Sequence, residues 1–341
     1  MVTAQAAPVA NPTVIKGDVE TTPVLHTKDS ADDPSIWVDP TNGAQSLVIG
    51  NDKQGALEVY NLDGSLRQRV TSGTTAKWGN VDVRQGVTVG TTTMDVVPVM
   101  NGQLRVYTVN PATRMLTSVT DGTGLLNVGG GEGLCAYDSP TTGQVYVFVI
   151  TRPGRVRQYV LTDPDNDGLV TASLVREFSM GSESEGCVVD DANQALYISQ
   201  EDVALWRYGA EPSSGTTRTS IDDIGPTGHL VSDIEGSTLA TVGSGGYLIV
   251  SAQYVAKPKL SYFVVYDRVT NAYVGAFRVG NGTVTDGCER TDGVAAYAGD
   301  LGPTFPHGMF VCQDNFNSAP GVGNQDFKLV NFDKVLAAIG G

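Results

Sequence analysis

The sequence predicts an all-β fold, a six-bladed β-propeller closed by an N-terminal strand. Short β-rich segments that end in an aromatic residue recur about every fifty residues along the chain. In each of the six repeats, a third short segment opens with an acidic residue, usually beside glycine. A β-sandwich is the alternative fold, but it does not predict an acid at the same position of six successive units.

Each repeat supplies at least three consecutive strands. Apolar runs such as SLVIG at 46–50 and QVYVFVI at 144–150 precede the segments that end in an aromatic residue, and turn signals such as NLDG and DPDNDG separate the segments. The last repeat is too short to provide its own fourth strand. We therefore expect residues 18–24 to complete it and to join the two ends of the chain. The aromatic positions are Tyr60, Tyr107, Tyr159, Tyr208 and Tyr266, with a sixth around Phe332.

The length, the net charge and the apolar runs of the chain limit its possible domain organisation and partners. We expect a flexible tail at residues 1–17 and one propeller domain at 18–341. The 22 basic and 37 acidic residues give a net charge of −15, which argues against a nucleic-acid partner. No apolar run approaches the length that spans a membrane, so no membrane partner is expected. Nothing in the pattern indicates more than a monomer.

The cysteines and the amino terminus indicate an extracellular or periplasmic protein. The four cysteines lack zinc-ligand spacing, and we expect disulfides between Cys135 and Cys187 and between Cys288 and Cys312. Four buried free thiols are the alternative. Residues 1–12 contain no intact signal peptide but resemble the segment that follows a cleavage site. We therefore expect a secreted protein whose signal peptide is already absent.

The repeated acids predict a metal site. The first strand of each propeller blade lines the central channel, so acids at equivalent positions should converge at one mouth. Carboxylates gathered in a narrow channel raise one another's pKa unless cations neutralise them, and oxygen-only ligands favour calcium. The alternative is that Asp and Gly simply form good turns. The six acids are Asp33, Asp82, Glu132, Glu185, Glu235 and Asp292.

No nucleophile motif is present, which favours metal chemistry over covalent catalysis. His26, His229 and His307 stand in unrelated contexts, and we expect structural roles for them. The run from Asp163 to Gly168 matches the start of a calcium-binding loop, but Leu174 occupies the position of its final glutamate. We expect a hairpin turn there.

The motifs now described resemble those of the β-propeller phytases, a family of secreted, calcium-dependent bacterial enzymes. The similar segments include ADDPSIWVDP (31–40), NVDVR (80–84), the stretch from SESEG to SQED (182–202), HLVSDIEG (229–236) and TDGCERTDG (285–293). They keep their order and spacing from about residue 29 to residue 339. The resemblance implies a phosphomonoesterase that hydrolyses phytate, or calcium phytate, with structural and catalytic Ca2+ ions.

The resemblance also implies roles for particular residues. Lys53, Arg152 and Gln253 would bind substrate, and Arg152 stands where the family has lysine. Catalysis would fall to Glu185, Glu201, Asp233 and Glu235, which also serve as metal ligands. Further metal ligands would be Asp33 and Asp292 in the active-site cluster, and Asp286 and Asp314 at a more structural calcium.

Four departures from the family pattern point to weaker substrate binding or a stronger need for calcium. The loop at 98–102 is short and lacks a phosphate-binding arginine. Glu132 replaces a tyrosine, Asp52 occupies a position that is lysine in some members, and Phe316 replaces an acid that helps to hold calcium. The matched carboxylates survive, so activity should be retained.

The expected mechanism is direct attack of a calcium-bound water on phosphorus, with Glu185 orienting the water and Glu201 as the second candidate for that role. A calcium-dependent propeller lactonase is one alternative. It would need a His or carboxylate base beside an apolar pocket. A non-catalytic propeller that only binds a partner is the other alternative.

Overall fold

The structure is a computed structural model that describes residue 9 and residues 11–73, 75–122, 124–253, 261–318 and 323–340. Within these ranges the strands form six sheets, and in three of them all neighbouring strands follow one another along the chain. The innermost strands contact one another in a closed cycle around one axis. The predicted all-β six-bladed propeller is therefore confirmed.

The strands begin with two short N-terminal segments, β1 (Thr13–Ile15) and β2 (Val19–Glu20), and the blades then follow in chain order. Blade one contains β3 (Ala31–Trp37), β4 (Leu47–Asp52), β5 (Ala56–Asn61) and β6 (Leu66–Val70). Blade two contains β7 (Trp78–Val81), β8 (Arg84–Val89), β9 (Thr92–Asn101), β10 (Gln103–Asn110) and β11 (Met115–Ser118). Blade three contains β12 (Gly133–Asp138), β13 (Val145–Thr151), β14 (Arg155–Thr162) and β15 (Thr171–Ser179).

The second half of the ring repeats the same order. Blade four contains β16 (Ser184–Asp190), β17 (Ala195–Gln200), β18 (Ala204–Gly209) and β19 (Arg218–Asp223). Blade five contains β20 (Ile234–Val242), β21 (Gly245–Ala252), β22 (Tyr262–Asp267) and β23 (Tyr273–Val279). Blade six contains β24 (Val294–Tyr297), β25 (Met309–Asp314) and β26 (Asp326–Asn331), and the helix α1 (Phe332–Ala338) follows it.

The hydrophobic core is divided among the six interfaces between neighbouring blades. Alternate side chains of each strand point to opposite faces of its sheet, so each blade packs against both neighbours. Between blades five and six, for example, the rings of Phe263 and Phe310 lie 4.8 Å apart in an edge-to-face contact. Complete burial of such a side chain contributes about 1.5–3 kcal/mol. The ring is thus held together along its whole circumference.

The N-terminal segment closes the ring. Strand β2 pairs antiparallel with β26, with Val19 opposite Leu329 and Glu20 opposite Lys328. The prediction that residues 18–24 complete the last blade is confirmed over Val19–Glu20. Residues 13–15 belong to the segment predicted to be a flexible tail, but they form β1 and pair parallel with β23 of blade five. No helix among the described residues is long and apolar enough to cross a membrane.

Both predicted disulfides are present. Cys135 on β12 bonds to Cys187 on β16 and joins the innermost strands of blades three and four. Cys288, just before β24, bonds to Cys312 on β25. All four cysteines are described and none is free, so the alternative of four thiols is wrong.

Candidate functional site

Glycines on the innermost strands allow neighbouring blades to approach closely at one mouth of the channel. A Cβ atom at Gly186 or Gly236 would lie less than 3.0 Å from the carbonyl oxygen of Glu235 or Asp292, respectively, on the next blade. Only glycine fits such an approach without displacement of the backbone. The repeated acid-glycine pair therefore combines two functions, because the glycine closes the ring and the acid before it stands at the mouth.

In blade one the acid at the corresponding position of the ring is Asp32. A Cβ atom at Gly293 would lie 2.8 Å from the carbonyl oxygen of Asp32. Asp32 thus occupies the position in the ring for which we predicted Asp33. Asp33 is the next residue on the strand, and it lines the channel below the mouth.

Blade two has no acid at this position. A Cβ atom at Gly79 would lie 2.7 Å from the carbonyl oxygen of Glu132, so the residue in the ring is Trp78, which is buried. Asp82 lies four residues further on, inside the channel and toward its opposite end, where it forms an ion pair of 3.0 Å with Arg84. The expectation that all six acids converge at one mouth is therefore wrong for Asp82.

A cavity of about 730 Å³ opens at this mouth. It brings together residues from the innermost strands and from the loops between the second and third strands of several blades. Eight of the predicted site residues line it: Lys53, Arg152, Glu185, Glu201, Asp233, Glu235, Gln253 and Asp292.

Glu185 of the cavity wall and two adjacent carboxylates of blade one lie close enough to share a cation. Asp32, Asp33 and Glu185 each offer an oxygen atom, and these atoms lie within 4.8 Å of one another. Removal from water, followed by repulsion from Asp32, raises the pKa of Glu185 to about 8. Burial, together with repulsion from Asp32 and Glu185, holds the pKa of Asp33 well above its usual range. A hard divalent cation fits this donor set, since it would offset both the burial and the repulsion.

Lys53 is fixed by the acids around it. Its Nζ lies 2.6 Å from Asp292 Oδ2, 2.9 Å from Asp29 Oδ1 and 3.0 Å from Asp32 Oδ1. Burial alone would lower the pKa of Lys53, but attraction to Asp32, Asp292 and Asp29 raises it well above its usual value. Lys53 therefore remains charged and lies beside the three-carboxylate group.

The carboxylates of blades four and five extend the acidic wall. Burial, then repulsion from Glu183, raises the pKa of Glu201 to about 7. Burial also raises the pKa of Asp233, and it raises that of Glu235 well above its usual range, with Asp292 as the strongest neighbouring charge. Of these three groups, Glu201 is therefore able to accept a proton near neutral pH.

Two further polar groups complete the site. Gln253 donates from Nε2 to Asp292 Oδ1 at 2.5 Å, and its backbone N–H donates to the carbonyl of Asp233 at 2.9 Å. The Arg152 side chain is 63% exposed and pairs with Glu183 at 2.5 Å. Because that pair is exposed, an anion in the cavity can compete with Glu183 for the guanidinium.

Asp286 and Asp314 lie outside this cavity in a second acidic group. The fully buried Lys328 places its Nζ 2.6 Å from Asp286, 2.7 Å from Asp326, 3.2 Å from Glu20 and 3.5 Å from Asp314. We call these five residues the sealed cluster. Burial, countered in part by Lys328, raises the pKa of Asp314 to about 7.

The histidines and the acidic hairpin take the structural places expected of them. His26, His229 and His307 each pair with an aspartate, and none of them lines the cavity. The carboxylate of Asp163 accepts hydrogen bonds from the backbone N–H groups of Asp167 and Gly168 at 3.2 and 3.0 Å. These bonds form the turn between β14 and β15.

Sequence reasoning missed several residues of the site. Asp32 is adjacent to Asp33 in the sequence, and only the close approach at Gly293 shows which of the two stands in the ring. Asp29, Lys77 and Arg290 also line the cavity, but they lie in irregular segments that carry no repeat signal. Only the folded chain brings them together.

Comparison with known proteins agrees with this architecture. A family model described as Phytase matches residues 1–341. The chain is 34% identical over 336 residues to a 3-phytase of Bacillus subtilis (strain 168), covering 96% of this chain and 85% of that protein. A solved structure of a protein of unknown function from Bacteroides thetaiotaomicron shares the fold alone, with a TM-score of 0.52, 11% identity, and coverage of 92% of this chain and 72% of that one. The chain belongs to the phytase family.

Proposed function

We propose that this protein is a calcium-dependent phytase that releases orthophosphate from myo-inositol hexakisphosphate at the cavity. The observation that carries the proposal is that Glu185, which lines the cavity with Lys53 and Arg152, lies close enough to Asp32 and Asp33 to share a cation with them. Such a cavity repels a polyanion unless cations are added. The lysine and the arginine offer phosphate ligands where the wall is otherwise acidic.

Calcium, when bound, would neutralise the carboxylates, attract phosphate oxygens and acidify water. Asp32, Asp33 and Glu185 would hold it, with Glu201, Asp233, Glu235 and Asp292 as further oxygen donors along the wall. All seven present carboxylate oxygens, the ligand type that calcium prefers.

The protein's own side chains account for positioning and proton transfer. Glu185 orients the attacking water and accepts its proton, and Glu201 is the second candidate for that role. The raised pKa values of both groups suit a base that works near neutral pH. Lys53 and Arg152 stabilise the negative charge on the phosphate oxygens during in-line attack, and Gln253 orients Asp292.

A structural calcium at Asp286 and Asp314 is a second part of the proposal. Four carboxylates surround a single ammonium group in the sealed cluster, which leaves negative charge uncompensated in a buried place. Ser318 already donates to Asp286 Oδ2, and the side chain of Phe316 offers no ligand atom. We therefore expect weaker binding here than at the cavity.

The departures from the family pattern act in different places. Glu132 and Phe316 line the cavity, so these two departures change the side chains that a bound substrate contacts. Asp52 is fully buried and accepts a hydrogen bond from His26, so it contacts other residues of the fold rather than substrate.

We also propose that the protein is secreted, because disulfides persist in oxidising compartments, and that it is a monomer.

Orthophosphate release from phytate, measured against free calcium concentration, tests the proposal. We expect no release in excess chelator and a saturable rise with calcium, whereas magnesium should substitute poorly. Failure to release phosphate at any calcium concentration would contradict it. Lactone turnover should be absent, since the cavity wall is charged and holds no histidine among the described residues.

A further inference from the structure

Arg290 lies on the opposite side of the cavity from Arg152. Arg152 is in the loop between β13 and β14 of blade three, and Arg290 precedes β24, the innermost strand of blade six. Blades three and six face each other across a ring of six. Since both arginines line the same cavity, they approach it from opposite directions.

Arg290 differs from Lys53, Lys77 and Arg152 of the cavity in having no acidic partner among the described residues. Lys53, Lys77 and Arg152 each pair with a carboxylate. Within the part of the chain that the structure describes, no carboxylate lies within 4.0 Å of the Arg290 guanidinium. Its Nε is buried and lacks a hydrogen-bond partner. An unpaired guanidinium beside an acidic cavity, in a chain of net charge −15, has unused capacity to bind an anion.

The surroundings hold Arg290 in place. Its guanidinium carbon lies 5.4 Å from the centre of the Phe316 ring, and both residues line the cavity. The contact supports the cation without neutralising it. The backbone carbonyl of Arg290 accepts a hydrogen bond of 3.3 Å from Gln253 Nε2, the same amide that donates to Asp292. These hydrogen bonds of Gln253 hold the backbone of Arg290 close to Asp292 in the cavity wall.

We propose that Arg290 is a substrate-binding residue that contacts a second phosphate group, on the far side of the substrate from the phosphate at Arg152. A ring compound with several phosphates projects them in several directions, and two arginines that face each other can hold two of them at once. The cavity volume of about 730 Å³ lies within the range of small-molecule sites. Arg290 therefore selects for substrates with several phosphates over simple monoesters. The inference rests on the proposed function.

Binding of myo-inositol hexasulfate, a polyanion that is not a phosphatase substrate, provides the direct test. Calorimetry at saturating calcium should show that Arg290→Gln weakens its binding at least about tenfold. Arg290→Lys should recover part of the loss, because the charge returns without the planar fork. Arg67→Gln is the matched control. Arg67 is on the outer strand β6 and donates to the carbonyls of residues 113 and 114.

Kinetics separate specificity from catalysis. Arg290→Gln should raise KM for phytate at least about tenfold, with kcat little changed, and should leave kcat/KM for 4-nitrophenyl phosphate within about twofold. Equal losses on both substrates would overturn the selective role, and unchanged hexasulfate binding would overturn the contact itself. If the wild-type protein releases no phosphate from phytate yet loses hexasulfate binding on Arg290→Gln, the proposed function fails and the anion contact stands.

Discussion

Two lysines of this protein lie among several carboxylates, and their surroundings differ in access to water. Lys53 stands at the wall of the cavity, and its partners Asp29 and Asp292 have side chains that are 70% and 23% exposed. Lys328 has a side chain with no exposed surface, and among its partners only Glu20 reaches 19%.

The difference separates a site whose counter-charge is open to exchange with solvent from one whose counter-charge is enclosed by the fold. Around Lys53, water, a metal ion or an anionic substrate can reach the same carboxylates. Around Lys328, three of the four carboxylates lie on strands β2, β25 and β26, so the cluster joins the N-terminal strand to the last blade. Similar chemistry thus serves binding in the open cavity and ring closure in the sealed cluster.

The largest effect is expected when each lysine is replaced by methionine. Lys328→Met leaves buried carboxylates without a counter-charge and should cost about 3–5 kcal/mol of unfolding free energy. Lys53→Met should cost no more than about 2 kcal/mol, because water hydrates its partners. Denaturant unfolding in chelator measures both. Equal losses in the two variants would remove the distinction between the clusters.

The next effect concerns turnover in the open cavity. Glu185→Gln keeps the shape of the side chain but removes the proton acceptor, so kcat for phytate should fall by about 100-fold or more at saturating calcium. The unfolding free energy of this variant should not fall, because the substitution removes a carboxylate whose charged form is unfavourable in a buried position. Glu177→Gln, which changes a carboxylate on the outer strand β15, is the control. Full turnover by Glu185→Gln would show that another group takes the proton.

Much of the fold could be predicted because the propeller repeats its signals. Apolar runs and aromatic strand ends recur in each blade, and the short final repeat indicated that β2 would complete blade six. Strand β1 could not be predicted in the same way. Its three residues carry no alternation of their own and are held by their parallel pairing with β23.

The site was predictable where it follows the repeat and unpredictable elsewhere. The acid-glycine pairs located Glu185, Glu235 and Asp292 correctly at the mouth. The sequence offered two adjacent acids in blade one, and only the close approach of Gly293 distinguishes Asp32 from Asp33. The place of Lys328 among four carboxylates depends on pairing between distant segments, which no local pattern reveals.

A graded effect is expected from pH when the metal is absent. The pKa of Glu185 rises from 4.5 to about 8 on folding, so the folded state favours its protonated form. Its contribution to stability is therefore complete below about pH 4.5 and is lost as the pH rises toward 8. Melting temperatures in chelator should fall across this window, and Glu185→Gln should flatten the slope.

Calcium should counteract the same fall, because it favours the ionised carboxylates of the open cavity. Melting temperatures at saturating calcium should therefore vary less with pH than those in chelator. A melting temperature in chelator that rises steadily from pH 5 to pH 8 would contradict the burial that raises these pKa values.

The smallest effect is expected at the acidic hairpin, where Asp165 and Asp167 are exposed to solvent. Asp165 is exposed, so Asp165→Asn should change the unfolding free energy by less than about 0.5 kcal/mol and leave the number of bound calcium ions unchanged. Asp163→Ala should cost about 1 kcal/mol, since two backbone N–H groups lose their acceptor. Denaturant unfolding and calcium titration measure these changes. Loss of one bound calcium in Asp165→Asn would mean that an exposed acidic turn also holds metal, and exposure would then no longer separate binding acids from structural ones.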